Sequence, residues 1–221
     1  VLADVETPIS TYRKLAEGPY SYLFESVQGG EKWGRYSIIG LPCRTVLTVR
    51  GHCVEEWHDD ACRERHDVDD PLAFIETYAE RYRCAPVADM PVFHGGLVGY
   101  FSYDTVRYVE PKLSASCPPD VMATPDVLLM LSDEVLVFDN LAGTLRLVVN
   151  ADPAAPDALA AGQQRLRELA ARLHGQMPEL PPVNLGARDE EALESRARSS
   201  LRREDYEAAV GRVREYVLAG D

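Results

Sequence analysis

Short runs of β-branched, aromatic and leucine residues recur along most of this chain, each closed within a few residues by glycine, proline, asparagine or aspartate. Runs of that length between turn residues read as strands. They fall at 21–25, 35–39, 45–49, 53–57, 62–66, 95–101, 126–131, 134–138 and 144–149. Asp59 and Asp60 separate two of them into a hairpin. Ser132 with Asp133, and residues 140–143, divide the last three into an expected meander. A large antiparallel sheet is therefore the expected core, and glycines 95, 96 and 99 in one run mark a strand that another backbone or a ligand approaches closely.

Helices punctuate this pattern. Thr7 and Pro8 start a short one that stops at Gly18 and Pro19. Asp70 and Pro71 cap a second, with Leu72, Ile75, Tyr78, Ala79 and Tyr82 at helical spacing. A third, over about 156–173, gathers Leu159, Leu166, Leu169, Ala170 and Leu173 on one face, with Arg and Gln opposite, so it should cover a sheet. The last, 204–219, carries the stripe Tyr206, Ala209, Val210, Val213, Tyr216 and Val217, with Gly220 as its C-cap. Such a stripe needs a partner, and a following domain is the simplest one. Pro178, Pro181 and Pro182 open a charged stretch without periodicity, which reads as a linker. The expected organisation is a domain over 1–176, a linker over 177–200, and the first helix of another domain over 201–221. The absent initiator Met points to residues lost upstream.

With 221 residues, 46% of them hydrophobic, the chain can bury a substantial core. Its net charge of -13 opposes binding to nucleic acid or an anionic membrane. Cys43, Cys53, Cys62, Cys84 and Cys117 include no Cys-x-x-Cys pair, the pattern of reduced thiols in a cytosolic protein. No secretory leader is visible, and no apolar run approaches the roughly 18 residues of a membrane span.

Chemical motifs are sparse. His58, Cys62 and His66 repeat at a spacing that could align metal ligands, but they lie in the hairpin and lack a fourth ligand. The glycines at 95, 96 and 99 lack the Lys-Ser/Thr ending of a phosphate loop. Neither a nucleophile elbow nor a His-Glu-x-x-His helix is present. The residues alone describe an α+β protein with no visible catalytic set. One strand end does combine a carboxylate, Glu25, a hydroxyl, Ser26, a di-glycine and a cation, Arg35. An amino-acid ligand needs such complementary partners. A strand-end hydrogen bond and a surface ion pair of Arg35 would account for the same residues.

Residues 7–15, 20–26 and 30–42, followed by the block Phe93 to Pro111, resemble the anthranilate synthase component I family of chorismate-utilising enzymes. Residues 126–131 and 206–221 extend the resemblance over nearly the whole chain. It implies a fold of two stacked antiparallel sheets with outer helices, and a cytoplasmic enzyme that converts chorismate to anthranilate with magnesium. Ammonia would come from a glutamine amidotransferase partner, and L-tryptophan would act as feedback inhibitor. On the resemblance, Glu25 and Ser26 contribute to the tryptophan site, and Arg35 stands where a further polar contact is found. The chorismate and magnesium residues are implied to belong to a following domain, so the chain is expected to be an inactive amino-terminal piece. A relative, aminodeoxychorismate synthase component I, and a stand-alone amino-acid-binding regulatory module are the alternatives.

Overall fold

The computed structural model describes residues 6–28, 32–85, 87–91, 93–116, 120–179, 196 and 198–220. Cys117 and most of the expected linker lie outside them. The chain divides into two compact units, Val1–Pro178 and Glu179–Asp221.

In the first unit, α1 (Pro8–Leu15) precedes β1 (Tyr22–Gln28), β2 (Lys32–Gly40), β3 (Thr45–Arg50), β4 (Cys53–His58) and β5 (Ala61–Asp67). Then come α2 (Pro71–Glu80), β6 (Gly96–Phe101), the single turn α3 (Val106–Val109), β7 (Val127–Ser132), β8 (Glu134–Asp139), β9 (Thr144–Val149) and α4 (Ala158–Leu173). Short-range chemistry sets several boundaries. The Thr7 side chain accepts from the Ser10 backbone N–H while the Ser10 hydroxyl accepts from that of Thr7, a reciprocal cap at the start of α1. Asp70 accepts from the N–H groups of Leu72 and Ala73 and so caps α2. Asp59 and Asp60 take φ of 48° and 62°, the left-handed pair that a tight two-residue hairpin requires between β4 and β5.

The strands form a four-stranded sheet, β1-β2-β8-β9, and a five-stranded sheet, β5-β4-β3-β7-β6. Every pairing is antiparallel. The expected three-stranded meander is corrected here. β8 and β9 do form a hairpin, but β7 pairs with β3 and β6 in the other sheet. Only Asp133 separates β7 from β8, less than the two-residue loop of the tightest common hairpin, so the chain crosses between sheets instead of folding back. The close approach expected at the glycine-rich strand is real: a Cβ on Gly99 would lie 1.9 Å from the Leu128 carbonyl oxygen of β7.

Apolar side chains fill the spaces between layers. Leu15, Ile39, Leu136, Phe138, Leu145, Leu169 and Leu173 join α1 and α4 to one face of the four-stranded sheet. Tyr22, Val46, Val98 and Met130, with Ile38 and Trp57, lie between the sheets. Leu47, Val49, Val54, Ile75, Tyr78 and Leu129 seat α2 on the outer face of the five-stranded sheet. Each large side chain so buried contributes about 1.5–3 kcal/mol. The helix–sheet–sheet–helix order agrees with the expected α+β fold of stacked antiparallel sheets. Only the C-terminal half of the α4 stripe is used: Leu169 and Leu173 are buried, whereas Leu159 is 76% exposed.

The second unit contains α5 (Arg203–Ala219). None of its residues is buried, and Tyr206, Val210, Val213, Tyr216 and Val217 are all exposed. Gly220 closes it in the left-handed conformation at φ 89°.

Candidate functional site

Glu25 and Ser26 lie where the β1–β2 ladder loses its regular register. Tyr22, Leu23, Phe24 and Glu25 stand opposite Gly40, Ile39, Ile38 and Ser37 in turn, but the next pair is Val27 with Trp33. Ser26 therefore faces a β2 segment with extra residues, Gly34, Arg35 and Tyr36, a bulge of the kind that re-aims side chains at strand ends. Gly34 meets a steric need here. A Cβ at this position would fall 2.3 Å from the Ser26 Cβ and carbonyl oxygen and 2.4 Å from its Oγ.

Neighbouring strand residues point to opposite faces. Tyr22 and Ile38 pack between the sheets, whereas Leu23 and Ile39 pack toward α1 and α4. This alternation places Ser26 on the Tyr22 face and Glu25 on the Leu23 face. Both residues are exposed. Phe24, on the same face as Ser26, is 53% exposed, with its ring 4.9 Å from that of Tyr22. A hydroxyl thus stands beside an accessible aromatic surface.

Arg35 is drawn elsewhere. Its Nη2 lies 2.9 Å from Asp139 Oδ2 and its Nε 3.2 Å from Oδ1, and its guanidinium covers the Tyr36 ring at 4.9 Å. Asp139 also accepts from the N–H groups of Leu141 and Ala142, each at 3.1 Å. The hydrogen bonds from Arg35, with those turn N–H groups, hold its carboxyl below the usual aspartate range. Among the described residues, no hydrogen bond or ion pair joins Glu25, Ser26 and Arg35 to one another. The structure brings Ser26 onto Gly34 and leaves Arg35 in an ion pair with Asp139.

Asn140 joins this neighbourhood too, through its side-chain donation to the Gly34 carbonyl at 3.0 Å. The sequence places residue 140 in a turn and signals no role for Asp139 or Asn140, because nothing local points to a partner in a strand so distant along the chain. Elsewhere, a cleft of about 410 Å³ is lined by His52, Asp70, Arg107, Tyr108 and Asp126, and another of about 820 Å³ by Arg81, His94, Asp133 and Asn150. Glu25, Ser26 and Arg35 line neither.

His58 contacts Thr45 Oγ1 at 3.0 Å and His66 contacts Glu64 at 3.1 Å; the described residues contain no group of three or more His, Cys, Asp or Glu able to hold a metal ion. Cys43, Cys53, Cys62 and Cys84 are free thiols. Burial pushes the Cys43 thiol up to about 12, which keeps it protonated and unreactive. No helix among the described residues is long and apolar enough to cross a membrane.

Comparison with known families decides the kinship. The family model described as chorismate binding enzyme matches residues 26–221. The chain belongs to the chorismate binding enzyme family. Within it, this chorismate binding enzyme chain is 55% identical over 220 residues to anthranilate synthase component 1 of Pseudomonas putida, and 56% identical over 221 residues to that of Pseudomonas aeruginosa. It is 33% identical over 222 residues to the Aquifex aeolicus protein of the same name. Each match takes in 100% of this chain and 44% of the relative, so the chain spans less than half the length of these curated relatives. The crystal structure of anthranilate synthase component I from Streptococcus pneumoniae superimposes with a TM-score of 0.50 at 21% identity, over 80% of this chain and 37% of that one. That likeness concerns the fold, and it agrees with the stacked antiparallel sheets found here.

Proposed function

We propose that this chain is the amino-terminal, effector-binding part of an anthranilate synthase component I. In this reading the complete protein converts chorismate to anthranilate with ammonia delivered by a glutamine amidotransferase partner, and L-tryptophan inhibits it. The observation that carries the proposal is identity of 55% and 56% to two anthranilate synthase component 1 proteins over the full extent of this chain.

L-Tryptophan is assigned to the strand end at Glu25 and Ser26. The Ser26 hydroxyl and, on the same face of β1, the accessible Phe24 ring for its indole supply the chemistry such a ligand requires, whereas the Glu25 carboxylate, on the opposite face, meets the ammonium only after rearrangement. Arg35 enters only by leaving Asp139, so its part is to complete the pocket after rearrangement. Magnesium finds no fitting set of ligands among the described residues, and no step is assigned to it on this chain. Chemistry on chorismate is proposed for the portion of the relatives that this chain does not span.

The test compares residues 1–221 with the product of the whole reading frame, both supplied with chorismate, magnesium and excess ammonium. Anthranilate fluorescence is expected from the whole product, suppressed by L-tryptophan, and none from the 221-residue chain. Turnover by the purified shorter chain would overturn the assignment of chemistry elsewhere.

A further inference from the structure

We infer that the turn at the end of β8, Asp139 with Asn140, is a clamp that anchors Gly34 beside Ser26 and so fixes the geometry of the effector site. The inference rests on the reading of Glu25 and Ser26 as the L-tryptophan site. Where the register jumps, Gly34, Arg35 and Tyr36 are out of step with β1, and backbone groups displaced from a ladder need partners elsewhere. The β8 turn provides them. The Asn140 side-chain amide donates to the Gly34 carbonyl at 3.0 Å and reaches the Ser37 hydroxyl at 3.5 Å, while its backbone N–H donates to the Arg35 carbonyl at 2.8 Å. Asp139 grips the Arg35 guanidinium and, with its Oδ1, the N–H groups of Leu141 and Ala142, which makes the turn itself rigid.

This arrangement has a directional consequence. Gly34 is buried, and the hydrogen bond from Asn140 anchors its carbonyl to the β8 side. Any change in the height of Gly34 is passed to Ser26, whose Cβ would be 2.3 Å from an added methyl. Ser26 is exposed, so its hydroxyl is open to a ligand. Hydrogen bonds weaken steeply with lost alignment, so a small displacement of the hydroxyl is felt by the ligand more than by the core. Asn140 and Gly34 are thus positioning residues that touch no ligand themselves.

The test uses the product of the whole reading frame in wild-type form and as Ser26→Ala, Asn140→Asp and Gly34→Ala. L-Tryptophan affinity is measured by titration calorimetry beside chorismate turnover and melting temperature. Asn140→Asp keeps the shape of the side chain and replaces its donor with an acceptor that faces the Gly34 carbonyl. It should weaken tryptophan binding by about 3- to 10-fold, the effect of one hydrogen bond, and by more than it lowers turnover. Gly34→Ala should weaken binding by about tenfold or more, since Ser26 must move bodily. If Ser26→Ala loses affinity while Asn140→Asp and Gly34→Ala bind as wild type, the clamp is overturned and the effector reading stands. Should Asn140→Asp lower melting temperature and turnover together with no change in affinity, the turn is only structural and the clamp again fails. An unchanged affinity in Ser26→Ala removes the effector reading and the clamp with it. If Gly34→Ala does not fold, Asn140→Asp alone decides.

Discussion

Tyr22 and Ser26 lie on the same face of β1, each seated on a glycine of β2, and there the likeness ends. A Cβ on Gly40 would fall 1.9 Å from the Tyr22 ring, just as one on Gly34 would strike Ser26. Tyr22 is 8% exposed, and its hydroxyl shares a 2.8 Å hydrogen bond with the buried Ser132 hydroxyl across the sheets. The Ser26 hydroxyl is exposed and has no hydrogen-bond partner among the described residues. One glycine serves packing and the other serves position. A side chain lying on glycine strengthens a core when its polar atom is satisfied internally, and becomes available to a ligand when it is not.

The sharpest way to break this comparison is Gly40→Ala. Displacing the Tyr22 ring from a filled layer should cost about 1–3 kcal/mol, read by denaturant unfolding. Gly34→Ala should cost a similar amount, because its Cβ meets the Ser26 Cβ and carbonyl oxygen as well as the hydroxyl, but it alone should also weaken the tryptophan response. A tryptophan response weakened equally in both variants would erase the distinction. Next in size is Tyr22→Phe, which leaves the buried Ser132 hydroxyl without its phenol partner. Destabilisation of about 1–3 kcal/mol is expected, with little change in tryptophan response.

Ser26→Ala should do the reverse. Stability should stay within about 0.5 kcal/mol, while the proposed tryptophan inhibition of the complete protein weakens by roughly 3- to 100-fold. Superimposable inhibition curves would take Ser26 out of the effector site. The smallest effect concerns the exposed Arg35–Asp139 pair. Its hydrogen bonds depress the Asp139 carboxyl, so their stabilisation is present above the unfolded aspartate value of about 3.9 and disappears as pH falls through the lower folded value. Unfolding curves of wild type and Asp139→Asn should differ slightly near neutrality and converge in acid. Divergence that grows toward low pH would show that the pair is not the cause.

Much of the fold was legible because it is written in short-range chemistry. The caps at Thr7 and Asp70, the Asp59–Asp60 hairpin and the strand runs each depend on residues within a few positions of one another, and the structure retains them. The resemblance carried by residues 20–42 likewise led to the family. The helix over 203–219 was also visible from its period, yet what its apolar stripe meets was not, since period reports a face and says nothing of its partner.

The site was less legible. Sequence alone could name Glu25, Ser26 and Arg35 as neighbours in a pattern, and could hold an ion pair of Arg35 open as the plainer reading. Only the tertiary structure showed the register jump, the contact of Ser26 with Gly34, and the passage of β7 and β8 into different sheets at Asp133. Arg35 meets Asp139 across a separation of 104 residues, and Gly34 meets Asn140 across 106. Propensity and turn chemistry act between near neighbours, whereas such partners are chosen by which apolar faces close on one another when the sheets stack, a collective outcome that no single stretch of sequence contains.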